Sequence, residues 1–174
     1  MTRFVVVPQW QGSPAARAMQ LVDGAEAIAG DLPRSACVRV EVPLEAGDAL
    51  GTRVHRLSTL QQTRARIDDL LASETDRIVI VGGDCSVALG GIAHAAARHE
   101  RLGLVWFDAH GDLHTPDSSV SGAFAGMALR AALGGGEPSL VVSPGIAPSR
   151  TVLVGARDLD VAESAFLADT PLAR

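Results

Sequence analysis

The sequence predicts an α/β fold on a mostly parallel sheet, and three observations carry that prediction. Short apolar, β-branched runs recur at Phe4–Val7, Arg77–Val81, Leu102–Phe107 and Thr151–Val154. Stretches with helical spacing alternate with them, the order of βαβ units. Two of the runs end abruptly in glycines and aspartates, as strands do where the carboxyl ends of an open α/β sheet face a ligand.

Taken in order, Phe4–Val7 is a first buried strand stopped by Pro8, and Gln9–Ser13 is the loop at its carboxyl end, where Trp10 either covers core edge or closes a pocket. Pro14 opens a helix through about Ala29 with Ala16, Met19, Val22 and Ala27 as its apolar stripe. Val38–Val42 alternates with Arg39 and Glu41 and suits a sheet edge. Pro43–Leu57 reads as loop, with His55 solvated, and Ser58 to about Ser73 as a surface helix on Leu60, Ile67, Leu70 and Leu71. The strand Arg77–Val81 runs into Gly82-Gly83-Asp84-Cys85-Ser86, where Asp84 is placed to cap a helix from Val87 to His99. His94 and His99 on that helix read as ordinary surface residues. Leu102–Phe107 is the next strand, Ala123 to about Leu133 a helix, Gly134–Arg150 a loop, Thr151–Asp158 a strand and turn, and Val161–Leu167 a last helix.

At 174 residues and 47% hydrophobic content the chain is expected to form a single domain over residues 1–174. A net charge of -5 gives no basic footprint for nucleic acid or an anionic membrane. No apolar run approaches the roughly 20 residues that span a bilayer. Cys37 and Cys85 make no disulfide framework, and the first residues lack a signal-peptide layout, so cytoplasm is the expected compartment.

The chemistry concentrates in Val105-Trp106-Phe107-Asp108-Ala109-His110-Gly111-Asp112-Leu113-His114-Thr115-Pro116. If the chain stays extended, Asp108, His110 and Asp112 fall on one face and converge. Two carboxylates and an imidazole suit Mn²⁺, Fe²⁺ or Zn²⁺. Asp and Gly are also ordinary turn residues, so this stretch alone reads as half of a metal site.

Gly82-Gly83-Asp84-Cys85-Ser86, Asp108-Ala109-His110-Gly111-Asp112, His114-Thr115-Pro116 and Ser121-Gly122 together resemble the arginase/agmatinase/formiminoglutamase (ureohydrolase) family, whose motifs run G-G-D-H-S, D-A-H-x-D, N-T-P and S-G-x-x-H-G. The resemblance implies a three-layer α/β/α sandwich with a mostly parallel sheet, Mn²⁺ as cofactor, a small guanidino or amidine substrate, and a homo-oligomer. It further implies that metal-generated hydroxide attacks the guanidinium or amidine carbon. Cys85, Asp108, His110 and Asp112 would be metal ligands, with Asp112 also catalytic, and His114 and Ser121 would position the substrate tail.

Three departures qualify the resemblance. Cys85 replaces a metal-binding histidine, which either shifts preference toward Zn²⁺ or Fe²⁺ or leaves a small buried thiol. His114 replaces an asparagine: an imidazole there would favour a carboxylate on the substrate tail, sit near the metal, or merely fill a loop. Ala125 replaces a histidine that assists proton transfer, with no substitute base evident nearby. The family's last metal motif, S-x-D-x-D-x-x-D-P, is absent, so the expectation is a C-terminally truncated chain with at most half the ligands. Strands from that missing portion are expected between the strand ending at Val81 and the one ending at Phe107. The competing expectation is an inactive member that keeps the fold as a binding or assembly subunit.

Overall fold

The computed structural model describes all residues, Met1–Arg174. Its strands are β1 (Thr2–Val7), β2 (Cys37–Arg39), β3 (Arg77–Gly82), β4 (Leu104–Phe107) and β5 (Thr151–Val154), all paired in parallel. Its α-helices are α1 (Gln20–Gly30), α2 (Leu57–Leu71), α3 (Ala88–Arg98), α4 (Ala128–Ala132) and α5 (Val161–Ala168). No helix is long and apolar enough to cross a membrane.

The strands form two sheets, ordered β2-β1-β3 and β4-β5. Alternation along β1 decides what covers the first sheet. Val5 and Val7 pack with Ile67 and Leu71 of α2 and with Val40 and Val87, whereas Val6 packs with Ala25 of α1 and with Val81. Both faces are therefore covered, the three-layer arrangement expected. The second sheet differs: Trp106 and Leu153 enter the largest core with Phe124, Met127, Leu129 and Leu167, but Val105 and Phe107 stay 55% and 76% exposed. The strand read from the apolar run Leu102–Phe107 is therefore buried on one face only.

β3 and β4 are not hydrogen-bonded to each other. A groove of about 550 Å³ lies between them over α3, floored by Ile78, Ile80, Ile92, Leu102 and Leu104. It occupies the place where the family resemblance expects further strands.

Local chemistry sets several boundaries. The helix expected from Pro14 begins only at Gln20, because residues 16–19 form turns, with Ala18 N–H bonded to Ala15 O. Met19 of the expected apolar stripe is consequently exposed, and Ala25 is the buried residue of α1. The edge strand is shorter than Val38–Val42, and the helix expected over Ala123–Leu133 splits into a 3₁₀ turn, Phe124–Met127, and α4. Asp84 caps as expected, accepting from Ser86 N–H at the turn that leads into α3.

Candidate metal centre

β3 and β4 each end in a loop that drops an acid into the interior. After β3 the chain passes through Gly83, where a Cβ would overlap the Gln9 carbonyl, so only glycine lets the two loops touch. Asp84 follows, buried, accepting from Gln9 Nε2 at 3.2 Å, Gly12 N–H at 2.9 Å, Ser86 N–H at 3.1 Å and the Ser86 hydroxyl. Burial pushes its carboxyl up while these hydrogen bonds pull it back. Asp84 is a structural carboxylate tying the β1 and β3 loops together. Sequence reading found its capping role but missed buried Gln9, whose only signal was a polar residue just past the Pro8 that ends the strand.

After β4, Asp108, Ala109, His110, Gly111 and Asp112 do not stay extended. Asp112 has φ 52°, in the left-handed region that aspartate tolerates better than most residues. Gly111 allows Glu163 to come close, since a Cβ there would lie 2.6 Å from Glu163 Oε1. This bend corrects the expected alternation. Asp108 and Asp112 converge with Cys85, the three offering ligand atoms within 4.8 Å of one another, and His110 does not join them. Instead His110 Nδ1 lies 3.1 Å from Asp108 Oδ1 and its Nε2 3.9 Å from Asp158, with the ring largely in solvent.

Charge in this trio is uncompensated. Asp112 is 3% exposed, and its Oδ2 has no hydrogen-bond partner. Burial, then the neighbouring charge of Asp108, pushes its carboxyl up to about 7. Burial and the surrounding aspartates push the Cys85 thiol far up as well, and its Sγ stands 3.7 Å from Asp108 Oδ2. An orphaned buried oxygen and two groups resisting ionisation are what a cation would correct, so these residues fit one divalent ion. The thiolate and carboxylate set suits Zn²⁺ or Fe²⁺ better than Mn²⁺.

Cys85, His110 and Asp112 line a cavity of about 300 Å³ together with His114, Ser121, Ala125, Gly126 and Glu163. Both residues expected at the substrate tail, His114 and Ser121, are therefore on it. His114 N–H donates to Gly126 O at 3.1 Å, which stitches the loop after Asp112 to the turn carrying Ala125. The imidazole of His114 lines the same cavity as Ala125. That ring is held by Ser118 Oγ, 3.0 Å from Nδ1, and by Asp160 Oδ2, 3.2 Å from Nε2. Asp160 and Glu163, both missed by sequence reading, form a capping box at the start of α5. The spacing Asp160-x-x-Glu163 before an apolar run was the available signal.

A sequence model of the arginase family matches residues 15–172. The chain is 39% identical over 149 residues to an arginase of Bacillus caldovelox, covering 79% of this chain and 46% of that protein. It is 32% identical over 152 residues to an arginase of Entamoeba histolytica, covering 83% and 50%. Among solved structures, arginase from Bacillus cereus superposes with a TM-score of 0.83 at 26% identity, over 99% of this chain and 62% of that one. Entamoeba histolytica arginase in complex with L-ornithine superposes with a TM-score of 0.81 at 27% identity, over 97% and 61%. The chain thus spans about half the length of these sequence relatives. With its fold, the order of its motifs and the match over 15–172 in agreement, the chain belongs to the arginase family.

Proposed function

We propose that the cavity is the metal-dependent half-site of a hydrolase that cleaves a guanidinium or amidine C–N bond. The observation carrying this reading is the buried, unpartnered Oδ2 of Asp112 beside Cys85 and Asp108 in a cavity of a family member. Cys85, Asp108 and Asp112 would hold the ion, and His110 would steady Asp108 through its 3.1 Å contact. A divalent ion there supplies Lewis acidity and lowers the pKa of water. Asp112, a ligand and a catalytic group in this reading, would accept a hydrogen bond from the attacking water.

The rest of the cavity suits a small substrate. Ser121 and His114 line the same cavity as Cys85 and would orient the tail. The expected preference of His114 for a carboxylate is weakened, because Asp160 already stands 3.2 Å from its Nε2. Arginine, agmatine, guanidino-acid and formiminoglutamate-like compounds are the candidate substrates, and Mn²⁺, Zn²⁺ and Fe²⁺ the candidate cofactors. A homo-oligomer in the cytoplasm belongs to the same reading.

Ala125 supports a second reading. It puts a methyl group on the cavity wall at the position of the expected histidine, which favours a fold-retaining binding or assembly subunit without turnover. The test is release of urea or ammonia from a panel of these compounds by the chain loaded in turn with each metal. Metal-dependent release supports the hydrolase. Stoichiometric metal without release supports the second reading, and absence of bound metal contradicts the half-site.

A further inference from the structure

We propose that the groove between β3 and β4 is an acceptor for a strand of a separate polypeptide: an extended, apolar segment that enters parallel to both strands with an acidic amino end at Arg77, Arg98 and His99. The proposal is independent of the metal reading. To the further strands that the family resemblance expects, it adds that this groove, as it stands, takes one from another chain.

Main-chain groups are the first argument. β3 and β4 are edge strands on either side of the groove. In β3, Arg77 N–H donates to Met1 O and Gly83 N–H to Val7 O, so the odd-numbered residues turn their peptide groups toward β1. Ile78 and Ile80 therefore turn theirs the other way, toward the groove. In β4, Asp108 N–H donates to Val154 O, so Val105 and Phe107 turn theirs away from β5. A compact apolar ligand would shut these donors and acceptors off from water unmet, whereas an extended peptide meets them in register.

Side chains are the second. Ile78, Ile80, Ile92, Leu102 and Leu104 floor the groove on the side of α3. Alternation puts Val79 of β3, with Val105 and Phe107 of β4, on the other face, and all three are exposed. A strand laid between the two edges meets apolar surface on both of its faces. That selects a nearly continuous apolar run, as parallel strands carry, over an alternating one.

Charge is the third, and it sets the direction. Arg77 opens β3, Arg98 and His99 close α3, and these three line the amino end of the groove. The one acid that lines it, Asp76, already holds the Met1 ammonium at 2.7 Å. At the opposite end β3 and β4 lead into Asp84 and Asp108. A segment with acids before its apolar run and a base after it is complementary to both ends when it runs parallel to β3 and β4.

The probe is a fluorescein-labelled peptide, E-E-V-V-I-T-V-K, titrated into the full chain by anisotropy, with hydrogen exchange read at single amides. Saturable binding should slow exchange at Ile78, Ile80, Val105 and Phe107 about tenfold or more and leave β2 unchanged. Arg77→Glu, at an exposed residue, should weaken binding about threefold to tenfold, since a rim attraction becomes a repulsion. The peptide E-E-V-P-I-P-V-K, which lacks two main-chain donors, should not bind. Absence of saturable binding overturns the proposal, and so does equally tight binding of the proline peptide, which would make the groove an unspecific apolar trap. Equal binding of the reversed sequence K-V-T-I-V-V-E-E overturns the parallel direction. Protection of the same four amides in the chain alone, with the sedimentation mass of a dimer, gives the groove to a second copy and overturns the proposal as well.

Discussion

β3 and β4 each deliver one buried aspartate, and the two aspartates live differently. Asp84 is surrounded by the donors of Gln9, Gly12 and Ser86, from two loops that glycines allow to touch. Asp112 is as deeply buried, yet its Oδ2 has no hydrogen-bond partner and Asp108 stands nearby. A buried carboxylate satisfied by the fold holds the fold together. One left unsatisfied by a fold that still buries it is reserved for something the fold does not supply, which here is a cation.

The largest effect expected from this contrast is at Asp84. Asp84→Ala strands the Gly12 N–H and the Gln9 amide in the interior and should destabilise by about 3–5 kcal/mol, read by urea unfolding. Loss of under about 1 kcal/mol would mean that water replaces the carboxylate and the contrast is void.

Next comes the pH dependence of Asp112. Its carboxyl is pushed from 3.8 up to about 7, so between those values the folded metal-free chain holds a proton that the unfolded chain has released. Stability should therefore fall as pH rises across that window, by up to roughly 4 kcal/mol, and level off above it. Unfolding curves with chelator should show the slope. Asp112→Asn or saturating Zn²⁺ should flatten it, whereas an unchanged slope in Asp112→Asn would assign it elsewhere.

A smaller effect is expected at His110. Its ring is mostly in solvent and touches Asp108 from outside the trio, so His110→Ala should weaken metal binding by about 10–100-fold as an outer partner does, and change stability little. Complete loss of binding in a metal titration would show it to be a ligand after all. Smallest is Phe107, 76% exposed at the end of β4. Phe107→Ser should alter the unfolding free energy of the isolated chain by no more than about 0.5 kcal/mol.

The same contrast explains what the sequence revealed. β1 and β3 were legible because their apolar runs are continuous and bounded by Pro8 and Gly82-Gly83, and the capping by Asp84 because it follows those glycines directly. The convergence of Asp108 with Asp112 was legible from position at a strand end, but the side taken by His110 was not. It depends on a left-handed residue at Asp112, and nothing in the local pattern specifies that. Asp160 and Glu163 lie far along the chain from His114, and their approach depends on β5 pairing beside β4. Start of α1 was misplaced because alanines after Pro14 suit both a turn and a helix. The exposure of Val105 and Phe107 was hidden because apolar runs look the same whether one or both faces are covered.

The most direct measurement is the metal content of the purified full chain after incubation with Zn²⁺ or Mn²⁺, by elemental mass spectrometry, for wild type, Asp112→Ala and Cys85→Ala. The expected result is stoichiometric metal in wild type, loss of the ion at the trio in Asp112→Ala, and weaker retention in Cys85→Ala. Wild type free of metal, or Asp112→Ala with the full complement, would contradict the assignment of the unpartnered Asp112 oxygen to a cation.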